Sequence, residues 1–342
     1  MKRFVFGSRF HYSRLTDYEK KIYRQLYDQW AAGESIVKVS FPGDDYILPT
    51  GTALHDLVQV ILSENPHIFH LETSHLVYRR IGNEVTIEIQ SVYTKEEYEQ
   101  IYDKLVKRVA QIIEPAKKLS TDYEKFRYIH DYLVENVTYD KGAPDPRSQR
   151  EVHTIVGSLL NSACVCDGFS RAFRLLCDQL KLSCIVAIGT AVGPDGEEPH
   201  AWNFVKLDGK VYHVDLAWES GYVKAGYPVK DFYFLRNDAV MSKDHTWDHG
   251  IYPPIHDDYP RRELMIHSKR ELEQYVCRKM KEGQKELCFR LPASFPGDDA
   301  LQLLMKKIVW RNLWQFARIG SYTAVYYDDI GYAVIKFYDR RG

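Results

Sequence analysis

HAWNFVKLDGKVYHVDLAW, residues His200 to Trp218, decides how the centre of this chain folds. Apolar and polar residues alternate on either side of Asp208-Gly209, a strong two-residue hairpin signal. If Leu207 pairs with Lys210, then Asp215 lies opposite Trp202. Strand side chains repeat with period two, so His200 shares the face of Trp202. His200 and Asp215 then become diagonal neighbours, about 7–8 Å apart by backbone and within hydrogen-bonding reach through their side chains. Asn203 points to the other face. A three-residue loop with a bulge would reverse this parity, so the inference depends on the turn.

Upstream lies NSACVCDGFSRAF, Asn161 to Phe173. From Cys166 on, Phe169, Ala172, Phe173, Leu176, Cys177 and Leu180 recur at three- and four-residue steps, predicting a helix with one apolar face. Cys166 falls at its N-terminus, where unsatisfied N–H groups and the positive end of the dipole favour a thiolate. Asp167 would oppose that charge, and Gly168 would let the backbone turn tightly. A thiol at a helix start, an imidazole to hold or take its proton and a carboxylate to fix the imidazole are the parts of nucleophilic catalysis. Singly, each has a bland reading: a buried cysteine is mostly structural, and a strand histidine mostly a satisfied core residue. Their conjunction points to chemistry.

Other uses of these residues fit less well. Zinc sites favour C-x₂₋₄-C spacing with a second ligand pair, and the chain has no second CxxC and no HExxH. A disulfide between Cys164 and Cys166 would be strained. Cys164 reads as a small buried neighbour. His245 and His249 in DHTWDHG, and HIFH at His67 to His70, read as loop and capping residues, so no metal and no cofactor is expected. Trp202 and Trp218 flank the pair, either as an aromatic wall of the core or as the sides of a substrate groove.

VCDGFSRAF and HAWNFVKLDGKVYHVDLAW, with the upstream YIHDYLVENVTYD and GSLLNSACVC, resemble the transglutaminase-like superfamily. Its core motifs are a Cys-x-Gly-aromatic, a His-Ala-Trp and an Asp on the next strand. The likeness runs roughly from Tyr128 to Trp218, with a weaker echo in FYFLRNDAVMSKDHTWDH, and the N-terminal extension is similar to that of bacterial members. Leu216 departs from the pattern, which often has proline after the aspartate. The resemblance implies an α+β fold with a papain-like core, one helix packed on an antiparallel sheet. It implies that Cys166 is the nucleophile, His200 the base and Asp215 the orienter, in agreement with the register argument. It also implies attack on an amide carbonyl of a protein or peptide substrate through a thioester, completed by hydrolysis or by transfer to an amine. The backbone N–H of Cys166 is then one oxyanion donor. The rival reading is a catalytically inactive transglutaminase-like module used for protein binding. Degenerate members tend to lose a triad residue, and all three are present here.

The 342 residues are enough for two or three domains. Hydrophobic residues at 45% and charged residues at 27% suit a soluble folded chain, and no apolar run approaches the roughly 18 residues of a membrane span. A net charge of −1 with interspersed signs offers no stripe for nucleic acid and no polybasic membrane anchor. The opening MKRFVFGSRF breaks at Gly7-Ser8-Arg9, short of a signal-peptide core. Six cysteines in so long a chain do not form a disulfide framework, so a cytoplasmic location is expected. The hexapeptide SFPGDD occurs at Ser40 to Asp45 and again at Ser294 to Asp299. In both places a strand, this turn, a helix and two strands follow one another, which reads as an internal duplication. Capping boxes at Thr16 with Glu19 and at Thr121 with Glu124 open helices, and a further helix is predicted over 95–118. The expected domains are 1–118, an N-terminal helix with a β-α-β-β unit; 119–262, the catalytic core; and 263–342, a C-terminal β-α-β-β unit.

Overall fold

The computed structural model describes residues 4, 9–40, 52–81, 84–142, 145–193, 196–224, 232–259, 265–292, 294–312, 317–327 and 331–339. The chain forms two compact units, Met1–Tyr259 and Pro260–Gly342.

In the first unit, α1 (Phe10–Arg14) and α2 (Asp17–Trp30) precede β1 (Ile36–Ser40), α3 (Thr52–Glu64), β2 (Leu71–Ile81) and β3 (Glu84–Ser91). Thr16 and Glu19 close the expected capping box. The strands lie in the order β1-β3-β2, all antiparallel. Ile22, Leu26 and Trp30 of α2 and Leu57, Val58 and Ile61 of α3 share one core with Val37, Val39, Val85, Ile87 and Ile89 of the sheet. The expected turn at Pro42-Gly43 lies outside the described residues.

Next come α4 (Lys95–Ala116) and α5 (Asp122–Asn136), opened by capping boxes at Thr94 with Glu97 and at Thr121 with Glu124. A short parallel pair, β4 (Thr138–Tyr139) and β5 (Ala163–Cys164), brackets α6 (Pro146–Glu151) and delivers the chain to α7 (Cys166–Gln179). After it run β6 (Ser183–Gly193), β7 (Gly196–Leu207), β8 (Lys210–Val214), α8 (Leu216–Lys224), β9 (Phe234–Arg236), α9 (Asp238–Met241) and β10 (His245–Trp247). These strands form one antiparallel sheet in the order β10-β6-β7-β8-β9, with α7 packed on β6 and β7. The hairpin register is the expected one, Leu207 opposite Lys210 through Asn203 opposite Val214. Asp208 at φ 50° and Gly209 at φ 80° give the two left-handed residues that a two-residue turn of this hand requires.

The reading of α7 as a helix with one apolar face is corrected. Every residue from Gly168 to Asp178 is buried, because α5 and α8 also pack against it. Its charged residues are accommodated in place: Arg174 Nε lies 3.6 Å from Asp178 Oδ2, and both side chains are fully buried.

The second unit contains α10 (Lys269–Lys281), a helix additional to the expected β-α-β-β unit, then β11 (Glu286–Arg290), α11 (Asp298–Arg311), β12 (Ile319–Tyr327) and β13 (Tyr332–Asp339). Its strand order, β11-β13-β12, repeats that of β1-β3-β2. Leu272, Val276, Leu287, Phe289, Leu301, Met305, Ile308, Ala333 and Ile335 form its core. The two SFPGDD segments therefore stand in front of the same helix of the same α-β-α-β-β topology. Among the described residues no helix is long and apolar enough to cross a membrane.

Candidate active site

Cys166 is the first residue of α7 and is half-buried, while Cys164, two residues earlier on β5, is fully buried. Gly168 does not serve a turn, contrary to expectation. It lies within the helix, and a Cβ there would sit 2.4 Å from Cys164 Cβ and 2.7 Å from the Val152 carbonyl oxygen. The glycine makes room for Cys164, so the two cysteines part: one is packed under the helix and the other is presented at its end. Burial, followed by the proximity of Cys166, pushes the Cys164 thiol well above its ordinary range, which keeps it protonated and inert.

The charge of Asp167 is countered by its surroundings. His153 Nδ1 lies 3.1 Å from Asp167 Oδ2, and Arg171 Nη2 lies 4.0 Å from Oδ1. Burial works against the carboxylate, but Arg171, His153 and Arg150 outweigh it and hold the carboxyl down at about 2. Beside Cys166, Asp167 is thus a neutralised anion.

His200 and Asp215 meet as the register demands. His200 Nε2 is 2.6 Å from Asp215 Oδ2, although Asp215 lies one residue beyond the end of β8. Asp215 is completely buried. Its Oδ1 accepts the Trp218 N–H at 3.1 Å, and its own N–H donates to the Tyr233 carbonyl at 2.9 Å. With Nε2 committed to Asp215, Nδ1 is the His200 nitrogen free to face Cys166, which acts on the ring as a hydrogen-bond and charge partner. Burial alone would keep His200 neutral. The Asp215 charge and hydrogen bond, aided by Cys166, outweigh burial and carry the imidazole up to about 10. Asp215 moves the other way: burial opposes its charge, but His200 and His245 hold its carboxyl far below the usual range.

His245 is the residue that sequence reasoning missed. Its polar surroundings in sequence suggest a loop, but it opens β10, is buried, and places Nε2 2.9 Å from the same Asp215 Oδ2. Its Nδ1 lies 2.5 Å from Asp244 Oδ1, and Asp244 Oδ2 accepts the Tyr233 hydroxyl at 2.6 Å. A signal was present in the sequence: His245-Thr246-Trp247 repeats the His-x-Trp spacing of His200-Ala201-Trp202. The strands carrying the two copies lie on either side of β6, where Gly189 is opposite both Trp247 and His200. A side chain at Gly189 would collide with the Thr246 carbonyl oxygen at 2.1 Å and the Trp202 ring at 2.8 Å.

His200, Asp215 and His245 offer ligand atoms within 4.8 Å of one another and are the only such group among the described residues. Their separations of 2.6 and 2.9 Å are hydrogen-bond lengths. They are shorter than the edge of about 3.3 Å that ligands 2.0 Å from a tetrahedral ion would define. The cluster is built around protons.

The two tryptophans differ. Trp202 is 1% exposed, stacks on His200 with centroids 6.0 Å apart and donates Nε1–H to His213 Nδ1 at 3.0 Å. It is a wall of the core. Trp218 is partly exposed and turns its ring toward His200 and His245, with centroids at 6.2 and 4.8 Å. Asn203 lies on the opposite face, as expected, and donates to the carbonyls of Ser170 and Ile185 at 3.0 and 3.2 Å. Tyr139 is a further unforeseen neighbour. It is 40% exposed, and burial followed by the charges of Cys166, Glu198 and Asp215 pushes its phenol up to about 12.

Residues 106–216 match the family model of the transglutaminase-like superfamily. Human kyphoscoliosis peptidase is 30% identical over 141 residues, and the mouse protein of that name is 29% identical over the same length. Each alignment covers 37% of this chain and 21% of the relative, so the chain spans about a fifth of the length of the curated relatives it matches. A crystal structure of a TGase aligns at 16% identity with a TM-score of 0.30, covering 53% of this chain and 51% of that one. Cys166, His200 and Asp215 fall within the matched segment and His245 beyond it. An α+β core whose central helix lies on an antiparallel sheet, carrying these motifs in this order, makes residues 106–216 a domain of the transglutaminase-like superfamily.

Proposed function

We propose that this chain is a transglutaminase-like thiol enzyme acting on an amide carbonyl of a protein or peptide. The observation that carries the reading is the 2.6 Å contact of His200 Nε2 with buried Asp215, which leaves the other ring nitrogen for Cys166 at the α7 N-terminus. In the first step the Cys166 sulfur bonds to the carbonyl carbon, the C–N bond breaks, and His200 gives its proton to the departing amine, leaving a thioester. In the second step water or a primary amine bonds to the thioester carbonyl carbon, His200 takes the proton of the attacking group, and the C–S bond breaks, returning the Cys166 sulfur and releasing the acyl group as an acid or a new amide. Asp215 holds the ring in place throughout. The name peptidase borne by the human and mouse relatives favours water as the acceptor.

Iodoacetamide at neutral pH should label Cys166 ahead of the other five cysteines. Cys166→Ala should lower hydrolysis or amine incorporation on a glutamine-containing protein more than about a thousandfold. Cys164→Ala should leave the chemistry in place. Equal labelling of several thiols, or a dead Cys164 variant beside an active Cys166 variant, would reject the reading in favour of a non-catalytic binding module. Stable incorporation of a labelled primary amine would assign transfer, and deamidation or cleavage alone would assign hydrolysis.

A further inference from the structure

Asp215 serves two imidazoles through one oxygen, and the second imidazole has no part in the mechanism above. His245 meets an acidic oxygen at each ring nitrogen, Asp215 Oδ2 at 2.9 Å and Asp244 Oδ1 at 2.5 Å. A neutral imidazole carries a single N–H and would turn a lone pair toward one of these carboxylates; only the imidazolium donates at both positions. Its side chain is fully buried, so no water can take either place. The rings of Trp202, Trp218 and Tyr233 close around it with centroids at 5.2, 4.8 and 5.6 Å. Asp244 is itself fixed by the Tyr233 hydroxyl at 2.6 Å.

We propose that His245 is a positioning residue for His200, a buried imidazolium clamped between Asp215 and Asp244 that fixes the Asp215 carboxylate and shares its charge. The inference rests on the reading of Cys166, His200 and Asp215 as the reacting groups. Its chemical sense lies in the proton that His200 must surrender. A buried carboxylate facing His200 alone would hold that proton too tightly for delivery to a leaving amine. A second cation on the same oxygen, its ring centroid 5.2 Å from that of His200, weakens the hold while keeping the oxygen in place. The charged and titratable groups facing His245 are Asp215 after β8, His200 on β7, Asp244 in the turn before β10, Tyr233 before β9 and His213 on β8. Both carboxylates favour its proton, while burial and His200 oppose it, and the balance lies toward the charged form.

The test is nitrogen-resolved NMR of the full chain labelled at histidine, with catalysis read in parallel as amine incorporation into dimethylated casein and as its cleavage. The wild type should show His245 doubly protonated through neutral pH. Asp244→Asn keeps a hydrogen-bond partner for Nδ1 but removes the charge, so His245 should become a single neutral tautomer that still donates to Asp215. The His200 titration should then move up by about one pH unit, and turnover should fall about tenfold. His245→Gln should shift His200 in the same direction with a larger fall. A neutral His245 in the wild type, or a His200 titration unmoved in both variants, would overturn the proposal. The wild-type spectrum does not depend on variant folding or on turnover. An inert Cys166 would remove the proposed function while leaving the protonation of His245 as a separate measured fact.

Discussion

The two α-β-α-β-β regions share a strand order and part at the outer side of their second helix. In the N-terminal region α3 buries Leu54, Leu57, Val58, Ile61 and Leu62, covering more than one face, and also contacts β6 of the five-stranded sheet and α1. In the C-terminal region α11 buries only the single stripe Leu301, Met305 and Ile308, leaving Leu303 54% and Trp310 74% exposed. The ends of these helices show why. Glu64, the last residue of α3, is buried and accepts from the His11 N–H at 2.7 Å, the Tyr12 N–H at 3.2 Å and the Tyr23 hydroxyl at 3.2 Å. Arg311, the last residue of α11, is 68% exposed at its side chain and lies 3.6 Å from Glu273. A carboxylate at a helix C-terminus works against the dipole, whereas an arginine there works with it. The N-terminal copy accepts that cost and recruits α1, and α1 in turn places His11 Nε2 2.9 Å from the Val186 carbonyl of β6. A shared topology therefore fixes the inner core of each copy, while a few buried polar groups tie the N-terminal copy to the sheet that carries His200.

The contrast can be broken most forcibly at Glu64. Glu64→Leu leaves two buried donors and one part-buried donor without their acceptor and should cost about 4 kcal/mol in urea unfolding of the first unit, read by its fluorescence. A loss below about 1 kcal/mol would mean that α1 is not tied down through this residue.

A pH titration of stability comes next. Burial, only partly offset by its hydrogen bond to the Glu34 carbonyl, lowers fully buried His70 to about 4, against about 6.5 in an unfolded chain. The folded state then binds fewer protons than the unfolded state below pH 6.5. The stabilisation present above that pH is therefore lost as pH falls toward 4, by up to about 3 kcal/mol. The C-terminal region has no buried histidine among its described residues, so acid should loosen the N-terminal copy first. Hydrogen exchange at pH 7 and pH 4.5 checks the order, and preferential loosening of the C-terminal strands would contradict it.

Met305→Ala, on the single buried stripe of α11, should cost the C-terminal unit about 2–3 kcal/mol in denaturant while the alkylation rate of Cys166 stays the same. Ile61→Ala on α3 should cost a similar amount in the first unit. The smallest effect belongs to Trp310→Ala, within about 0.5 kcal/mol, because a side chain 74% exposed has little packing to lose. A larger loss in a melting experiment would show that α11 has a covered outer face after all.

What could be read in the sequence follows the range of the interactions. The capping boxes at Thr16, Thr94 and Thr121 are four-residue patterns, and the first and last are legible directly. The His200–Asp215 contact was also legible, because a two-residue turn fixes the register that brings these residues together. His245 was not, since it reaches Asp215 across a sheet from a three-residue strand flanked by polar residues, too short to show alternation. Asp167 misled for a related reason: Arg171 lies one turn on along α7, but Arg150 and His153, which share in offsetting its charge, come from the end of α6. The helix α10 was legible and went unread: Leu272, Tyr275, Val276 and Met280 recur at three- and four-residue steps behind a Ser268 cap three residues before Glu271.

Gly168 and Cys164 carry one more consequence. Their side-chain space is shared, 2.4 Å from a would-be Cβ to the cysteine Cβ, and the Val152 carbonyl oxygen closes the same space at 2.7 Å. In relatives of this chain position 168 should therefore stay glycine, because no smaller residue at 164 moves that backbone oxygen, and position 164 should stay small and uncharged. Two cysteines a residue apart thus answer to different kinds of selection, the first to the space beneath a helix and the second to the imidazole it faces.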